Sequence, residues 1–381
     1  MKQPKNVALV HDWLVSMRGG EKVLELLCEL FPGATLFTLV RGKEKLSQPI
    51  EAMNIRTSFI QHLPLGTTHY QYCLPIFPAA IESLNLSEFD LVISSSHAVA
   101  KGVKVRKGAL HICYCHTPMR YIWDQYEQYF GGERETKLSS RVMKIFLNSL
   151  RRWDKDSAKG VDQFIANSQY VQERIHRIYG RDSVVIYPPV DVQSFSLSES
   201  SEDYYLIVSA LVPYKQVDVA VCAFTTLGKR LVVIGAGSEM KGLQAIAKSN
   251  IEFPGWVDNK SLVQYYQQCK ALVFPGEEDF GIVPVEAMAC GKPVIALGAG
   301  GALETVVDGK TGIFFGQQEI GKTGGKEFLI ADLIEKIKKF ESLQFDAQAI
   351  REHAMAFDRA ICKSKLESFI SEQIERWNPE R

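Results

Sequence analysis

Short apolar runs bounded by glycine, proline or polar clusters recur along the chain, and most are followed by stretches whose apolar residues return at helical spacing. "NVALVHDWL" is the first such run. It ends in "SMRGGEKVLELLCELF", where paired glycines precede Val23, Leu26, Leu27 and Phe31 at three- and four-residue intervals. Strand, glycine loop, helix is the order this predicts. "FDLVISSS" and "ALHICYCHT" read as further strands, and "VDQFIANSQYVQERIHRIYG" reads as a strand, an Asn167/Ser168 cap and a helix stopped by Gly180.

The alternation is broken by "VVIYPPVDVQSFSLSESSEDY", a proline- and serine-rich stretch with turn chemistry, and then begins afresh. A domain boundary is expected there. Beyond it, "YYLIVSALV", "RLVVIGAG", "NIEFPGWV", "ALVFPG", "PVIAL" and "GIFF" are strand candidates, separated mostly by helical patterns. Strands alternating with helices imply parallel sheets covered on both faces. The expected fold is α/β, with two doubly wound Rossmann-like domains, residues 1–190 and 191–365, facing each other across a cleft. A carboxyl-terminal helix in residues 366–381 is expected to cross back to the first domain. In such sheets ligands sit beyond the carboxyl ends of the strands, which is where the glycine loops fall.

Composition narrows the chemistry without choosing it. The 381 residues are 46% hydrophobic, enough for sizeable cores, and Lys+Arg and Asp+Glu both number 44. No global field therefore draws the chain to nucleic acid, and none is expected as a partner. The eight cysteines lie mostly in apolar runs with no CxxC, the usage of reduced, core-filling thiols in a cytoplasmic protein. Cys113 and Cys115 alternate along a strand, which argues against a shared metal. The start has too short an apolar run for a secretory signal, and no stretch approaches the ~20 apolar residues of a membrane span. A soluble or at most peripheral protein is expected.

Two carboxylates eight positions apart, Glu278 and Glu286, stand in "GEEDFGIVPVEAMACG". Pro275 should close a strand and Pro284 should lie in the first turn of a helix, so Glu278 falls on the loop and Glu286 about one turn into the helix. Between them Phe280, Gly281, Ile282 and Val283 offer backbone N–H groups at a positive helix end, which suits an anion. Ionised carboxylates only accept hydrogen bonds, so a pair beside an anion site suits a ligand with hydroxyls on either side of a diphosphate. Solvated surface is the competing reading of the two glutamates. Lys215 follows a strand in "SALVPYKQ", where an ammonium can meet a diphosphate. Gly235 and Gly237 end another strand, where a backbone can approach a ligand closely. Trp256 and Val257 in "FPGWVD" can flank a base, although a tryptophan there is more often plain core.

Taken in order, "SALVPYK", "VVIGAGSEM", "FPGWVD", "EDFGIVPVEAMACGKPVIA" and "GGALETVVDGKTG" resemble the carboxyl-terminal domain of family 4 retaining glycosyltransferases with a GT-B fold. "HDWLVSMRGGEKV", "SSSHAVAKG" and "YCHTPMRYIWD" resemble the acceptor domain of the same family, so the likeness covers nearly the whole chain. The resemblance implies that Glu286 binds ribose hydroxyls, that Glu278 lies by the transferred sugar, and that Lys215 neutralises the diphosphate with backbone help from Phe280, Gly281 and Ile282. It implies further that Gly19 and Gly20 approach the donor, and that Gly235, Trp256 and Val257 frame the base. His97 matches the family's active-site histidine by its distance to Gly102. His116 is the other candidate, and a satisfied core histidine is the plainer reading of each.

One departure stands out. Ser209-Ala210-Leu211 occupies the place where the family commonly has an arginine before its lysine, and Arg18 or Arg120 is the expected substitute. The mechanism implied is retention of configuration without a metal or other cofactor, the leaving phosphate taking the acceptor's proton. Asp154-Lys155-Asp156 reads as solvated charge on a helix rather than a metal motif. The motif versions resemble bacterial polysaccharide and O-antigen enzymes, including mannosyltransferases. That makes GDP-mannose the leading donor, with UDP-sugars behind it, and a glycan or lipid-linked molecule the acceptor.

The helix expected at 138–155 sets Val142, Ile145, Phe146, Leu150 and Trp153 in a stripe beside Arg141, Lys144, Arg151, Arg152 and Lys155. That pattern suits either packing on its own domain or peripheral contact with anionic membrane at the inner face of the plasma membrane. A dinucleotide-dependent oxidoreductase is the rival enzyme class, but "VVIGAGSEM" has Met240 in place of the third glycine. A non-catalytic sugar-nucleotide-binding protein, and a GT-B epimerase or phosphorylase, are the remaining alternatives.

Overall fold

The computed structural model describes residues 4–124, 126, 138–319, 322–323 and 325–378. The chain forms two compact units, one of Met1–Pro188 with Cys362–Arg381 and one of Pro189–Ile361.

The first unit is built on seven strands: β1 Val7–His11, β2 Thr35–Thr38, β3 Asn54–Thr57, β4 Leu91–Ser96, β5 Leu110–Cys115, β6 Gln163–Ala166 and β7 Ser183–Val185. They lie in the order β3-β2-β1-β4-β5-β6-β7, every pairing parallel. Alternation along each strand sends residues to opposite faces, and both faces are covered. On one, Leu9, Leu91, Ile93 and Ile112 pack with Val23, Leu26 and Leu27 of the helix Gly19–Leu30 and with Leu366 and Ile370 of the helix Arg359–Arg376. On the other, Ala8, Val10 and Val92 meet Phe77, Ile81 and Leu150. The carboxyl-terminal segment is thus part of the first unit's core, and Trp377 ties its end down by donating to Gly108 O at 2.9 Å.

Helix ends follow the local chemistry. Ser168 caps the helix Gln169–Tyr179 by accepting from Val171 N at 3.0 Å, and Gly180 ends it in the left-handed region at φ 64°.

The second unit has six strands, β8 Tyr205–Val208, β9 Leu231–Ile234, β10 Ile251–Gly255, β11 Ala271–Phe274, β12 Val294–Leu297 and β13 Gly312–Phe315, in the parallel order β10-β9-β8-β11-β12-β13. Ile207, Val233, Val273 and Ile295 pack against Val217, Ala220 and Phe224 of one helix and Leu329, Leu333 and Ile337 of another. Each unit is a doubly wound sheet, as the alternating pattern predicts.

Strand order reverses between β1 and β4 in the first unit and between β8 and β11 in the second. The loops leaving paired strands at such a point splay to opposite faces and leave a crevice at the carboxyl edge.

The helix Leu138–Ser157 departs from its predicted stripe. The side chains of Arg141 and Val142 lie outside the described residues. Leu147, Leu150 and Trp153 pack on the unit, whereas Ile145 is 77% and Phe146 41% exposed. Asp154 is not solvated charge but fully buried. Its Oδ1 takes Lys101 Nζ at 2.7 Å, and its Oδ2 accepts from Trp123 Nε1 at 2.7 Å and Tyr179 OH at 3.0 Å. A helix-period reading cannot see Lys101, which is 53 positions away.

Candidate active site

In the first unit the carboxyl ends of β1 and β4 carry a cluster of imidazoles and carboxylates. Asp12, one residue past β1, is fully buried and accepts four backbone N–H groups: His97 and Ala98 on Oδ2, at 2.7 and 3.0 Å, and Val99 and Ala100 on Oδ1, at 2.6 and 2.7 Å. The Asp12 carboxylate thereby fixes the turn that carries His97. Its Oδ2 is also 3.1 Å from His97 Nδ1. Burial lowers the His97 pKa; Asp12 opposes that shift, while His11 and Arg120 add to it. A neutral His97 that donates from Nδ1 to Asp12 keeps Nε2 as an acceptor.

Gly20, in the first turn of the helix after β1, lies against two further histidines: a Cβ there would be 3.6 Å from His11 Cε1 and from His116 Nε2. Arg18 precedes the helix and donates its backbone N–H to Glu21 Oε2 at 3.0 Å. Arg120 follows β5 in the segment that holds His116 and the buried Met119. His97, His116, Gly19 and Gly20 are therefore brought to one edge, together with His11, Asp12 and Glu21, which the sequence reading passed over.

In the second unit the loops leaving β8 and β11 meet. Lys215 closes the short turn Pro213–Lys215, and Gly276 passes so near that a Cβ would stand 3.0 Å from Lys215 Cα. This close passage lets Lys215 Nζ pair with the Glu278 carboxylate, the two side chains being 19% and 15% exposed. Glu278 is held from behind, its carbonyl accepting from Gly301 N at 2.8 Å. Gly281, at φ 92°, caps the helix Ile282–Ala289, a backbone conformation that disfavours any side chain. Phe280 beside it is buried, its ring 5.6 Å from that of Phe357. Glu286 lies on that helix and its Oε2 accepts from the buried Tyr266 hydroxyl at 2.7 Å. The two glutamates are a built feature, not solvated surface.

Gly235 is required within its own unit. At φ 138° a Cβ would fall 1.8 Å from Ser209 O. Its N–H donates to Gly255 O at 2.9 Å, which joins the residue after β9 to the last residue of β10. Trp256, next in line, is 79% exposed, so it is not core, and Val257 is half-buried. Ala210, where the resemblance expects an arginine, is exposed. Among the described residues no group of three or more His, Cys, Asp or Glu is placed to hold a metal ion.

Two loops converging at the switch point of each doubly wound sheet, one set carrying histidines and the other a lysine–glutamate pair beside a helix amino terminus, define the edges of a GT-B glycosyltransferase fold. The comparisons agree. Residues 191–354 match the family described as Glycosyl transferases group 1, and residues 18–194 match Glycosyltransferase Family 4. The two matches adjoin, so a family 4 domain is followed by a group 1 glycosyltransferase domain.

An uncharacterized glycosyltransferase of Methanocaldococcus jannaschii is 32% identical over 176 residues, 44% of this chain and 50% of that one. A GDP-mannose-dependent alpha-(1-6)-phosphatidylinositol monomannoside mannosyltransferase of Mycolicibacterium smegmatis is 29% identical over 203 residues, 45% of this chain and 52% of that one. The chain thus spans about half the length of these curated relatives. The fold matches the crystal structure of Anabaena HepE in complex with UDP, with a TM-score of 0.67 at 18% identity, covering 96% of this chain and 100% of that one.

Proposed function

We propose that the protein is a metal-independent, retaining glycosyltransferase that moves a sugar from a nucleotide-sugar to a glycan or lipid-linked acceptor in cell-surface glycan assembly. The observation that carries this reading is the Lys215–Glu278 pair at the second unit's switch point, beside the amino terminus of the helix Ile282–Ala289. Lys215 and the N–H groups of Phe280, Gly281 and Ile282 supply the positive field that a diphosphate requires, and Glu278 and Glu286 accept from sugar hydroxyls. In the mechanism Lys215 exchanges Glu278 for the diphosphate and stabilises the charge that develops on the leaving phosphate. That phosphate takes the acceptor's proton on the same face. His97, held by Asp12 with an acceptor nitrogen outward, meets a hydroxyl of the transferred sugar. Arg18 or Arg120 replaces the arginine missing at Ala210.

GDP-mannose is the leading donor, supported by the motif resemblance and by the Mycolicibacterium relative's named donor. A UDP-sugar is the second reading, supported by the UDP held in the Anabaena neighbour. Exposed Ile145 and Phe146, on a helix that also bears exposed Lys144, Arg152 and Lys155, suit peripheral contact with an anionic membrane. Among the described residues no helix is long and apolar enough to cross a bilayer. Vesicle co-sedimentation that rises with anionic lipid, and falls for Ile145→Ser with Phe146→Ser, checks the membrane contact.

Turnover is the test of function. GDP release from GDP-mannose, or UDP release from UDP-glucose, should persist in EDTA and carry a sugar of unchanged anomeric configuration into product. Release only with added divalent metal, or product with inverted configuration, contradicts the reading.

A further inference from the structure

The edge of the first unit holds a hydrogen-bonded line that the role given to His97 does not use. Register places His11 directly opposite Ser95 across β1 and β4. Ser95 Oγ is 3.1 Å from His11 Nδ1 and 2.8 Å from His116 Nε2. At the far end His11 Nε2 is 3.7 Å from Glu21 Oε1, just beyond hydrogen-bond length, so Glu21 acts on it chiefly through charge. His11, Glu21, Ser95 and His116 are all buried.

A serine hydroxyl has one proton, so at most one of the two ring nitrogens beside it accepts and, once one does, the other must donate. The Glu21 carboxylate settles the direction. It favours a proton on His11 Nε2, which leaves Nδ1 to accept from Ser95. Ser95 Oγ in turn accepts from His116 Nε2–H, and His116 Nδ1 is left with its lone pair. Burial opposes ionisation of Glu21, but the neighbouring His11 and His97 rings and its own backbone outweigh it and hold its pKa below the ordinary carboxylate value. Burial, with His97 and His11 nearby, pushes the His116 pKa well below the usual histidine value, so its ring is neutral.

We propose that Glu21, His11 and Ser95 are positioning residues that lock His116 in its Nε2–H tautomer, so that its Nδ1 accepts a hydrogen bond from a substrate hydroxyl. This rests on the glycosyltransferase reading for the identity of the hydroxyl, though not for the tautomer. A group without a proton to donate, such as a phosphate or carboxylate oxygen, is rejected at that nitrogen.

The test is a proton–nitrogen NMR correlation of histidine rings in the full chain, without substrate, on wild type, Ser95→Ala and Glu21→Gln. The expected wild-type spectrum has His116 protonated at Nε2 and pyridine-like at Nδ1. Ser95→Ala or Glu21→Gln should mix the tautomers and lower kcat on the order of 10- to 100-fold, as loss of a ring-orienting partner does, with donor KM changed less than kcat. A wild-type His116 protonated at Nδ1, or a tautomer unmoved in both variants, overturns the proposal. If Ser95→Ala does not fold, the wild-type spectrum and Glu21→Gln still decide. The spectrum needs no turnover, so an inactive protein with the expected tautomer sinks the glycosyltransferase reading and leaves the hydrogen-bonded line standing.

Discussion

The two units share a sheet topology, and each gathers its chemistry where strand order reverses, yet they build those edges in opposite ways. The second unit presents an exchangeable ion pair, Lys215 with Glu278, partly open to solvent. The first presents buried groups whose hydrogen bonds leave little room to move: Asp12 under four backbone N–H groups, and Glu21, His11, Ser95 and His116 in line. Under the proposed function, charge that is exposed to meet a diphosphate cannot be locked, because a ligand has to replace its partner. Imidazoles that must present one nitrogen gain from being locked.

The largest effects are expected on the locked side. Asp12→Ala leaves several buried N–H groups without an acceptor and should cost about 3–5 kcal/mol of stability, read by denaturant unfolding. Lys101→Ala, which strands the buried Asp154, should cost a similar ~3–5 kcal/mol. Replacing that pair together, Lys101→Met with Asp154→Leu, should cost much less than the sum. Equal losses in the single and double variants would show that packing, not the unpaired charge, sets the penalty.

Next comes the exchangeable side. Lys215→Ala should keep its stability within about 1 kcal/mol, the usual worth of a partly exposed pair, while losing on the order of 2–4 kcal/mol of transition-state stabilisation in kcat/KM. A variant that unfolds instead, or that turns over normally, would break the contrast between the edges.

The smallest effect is a pH dependence. The folded pKa of Glu21 lies below its unfolded value, so the unfolded chain binds more protons between the two and stability rises with pH there. That contribution is full above the unfolded carboxylate value of about 4.3 and is lost as pH falls through the lower folded value. Glu21→Gln should flatten this part of the acid limb of a pH–stability curve. An unchanged limb would place the ionisation elsewhere.

The difference between the edges also explains what could be read from the chain. The lysine–glutamate edge was visible because its loops are local. Pro275, Gly281 and Pro284 punctuate a strand-to-helix turn within a dozen residues, and the charged groups stand on it. Its partners across the chain were not, for nothing local links Tyr266 to Glu286, 20 positions on. On the first unit's edge His11 and Ser95 are 84 positions apart and join only through strand register. Asp12 at a strand end and Glu21 in a helix first turn resemble ordinary termini until the sheet aligns them. Gly235 shows the complementary limit: a glycine at a strand end serves a ligand or a neighbouring backbone equally well, and the Ser209 carbonyl beside it comes into view only in the fold.

The central claim is that the second unit's edge takes a nucleoside diphosphate through Lys215. Thermal stability of wild type and Lys215→Ala should be measured with GDP, UDP, ADP and NAD at about 100 times a trial dissociation constant, where specific binding adds roughly 2.7 kcal/mol. Stabilisation of wild type by GDP or UDP that is lost in Lys215→Ala is the predicted result. Stabilisation by NAD alone, or an equal response in wild type and variant, would contradict it.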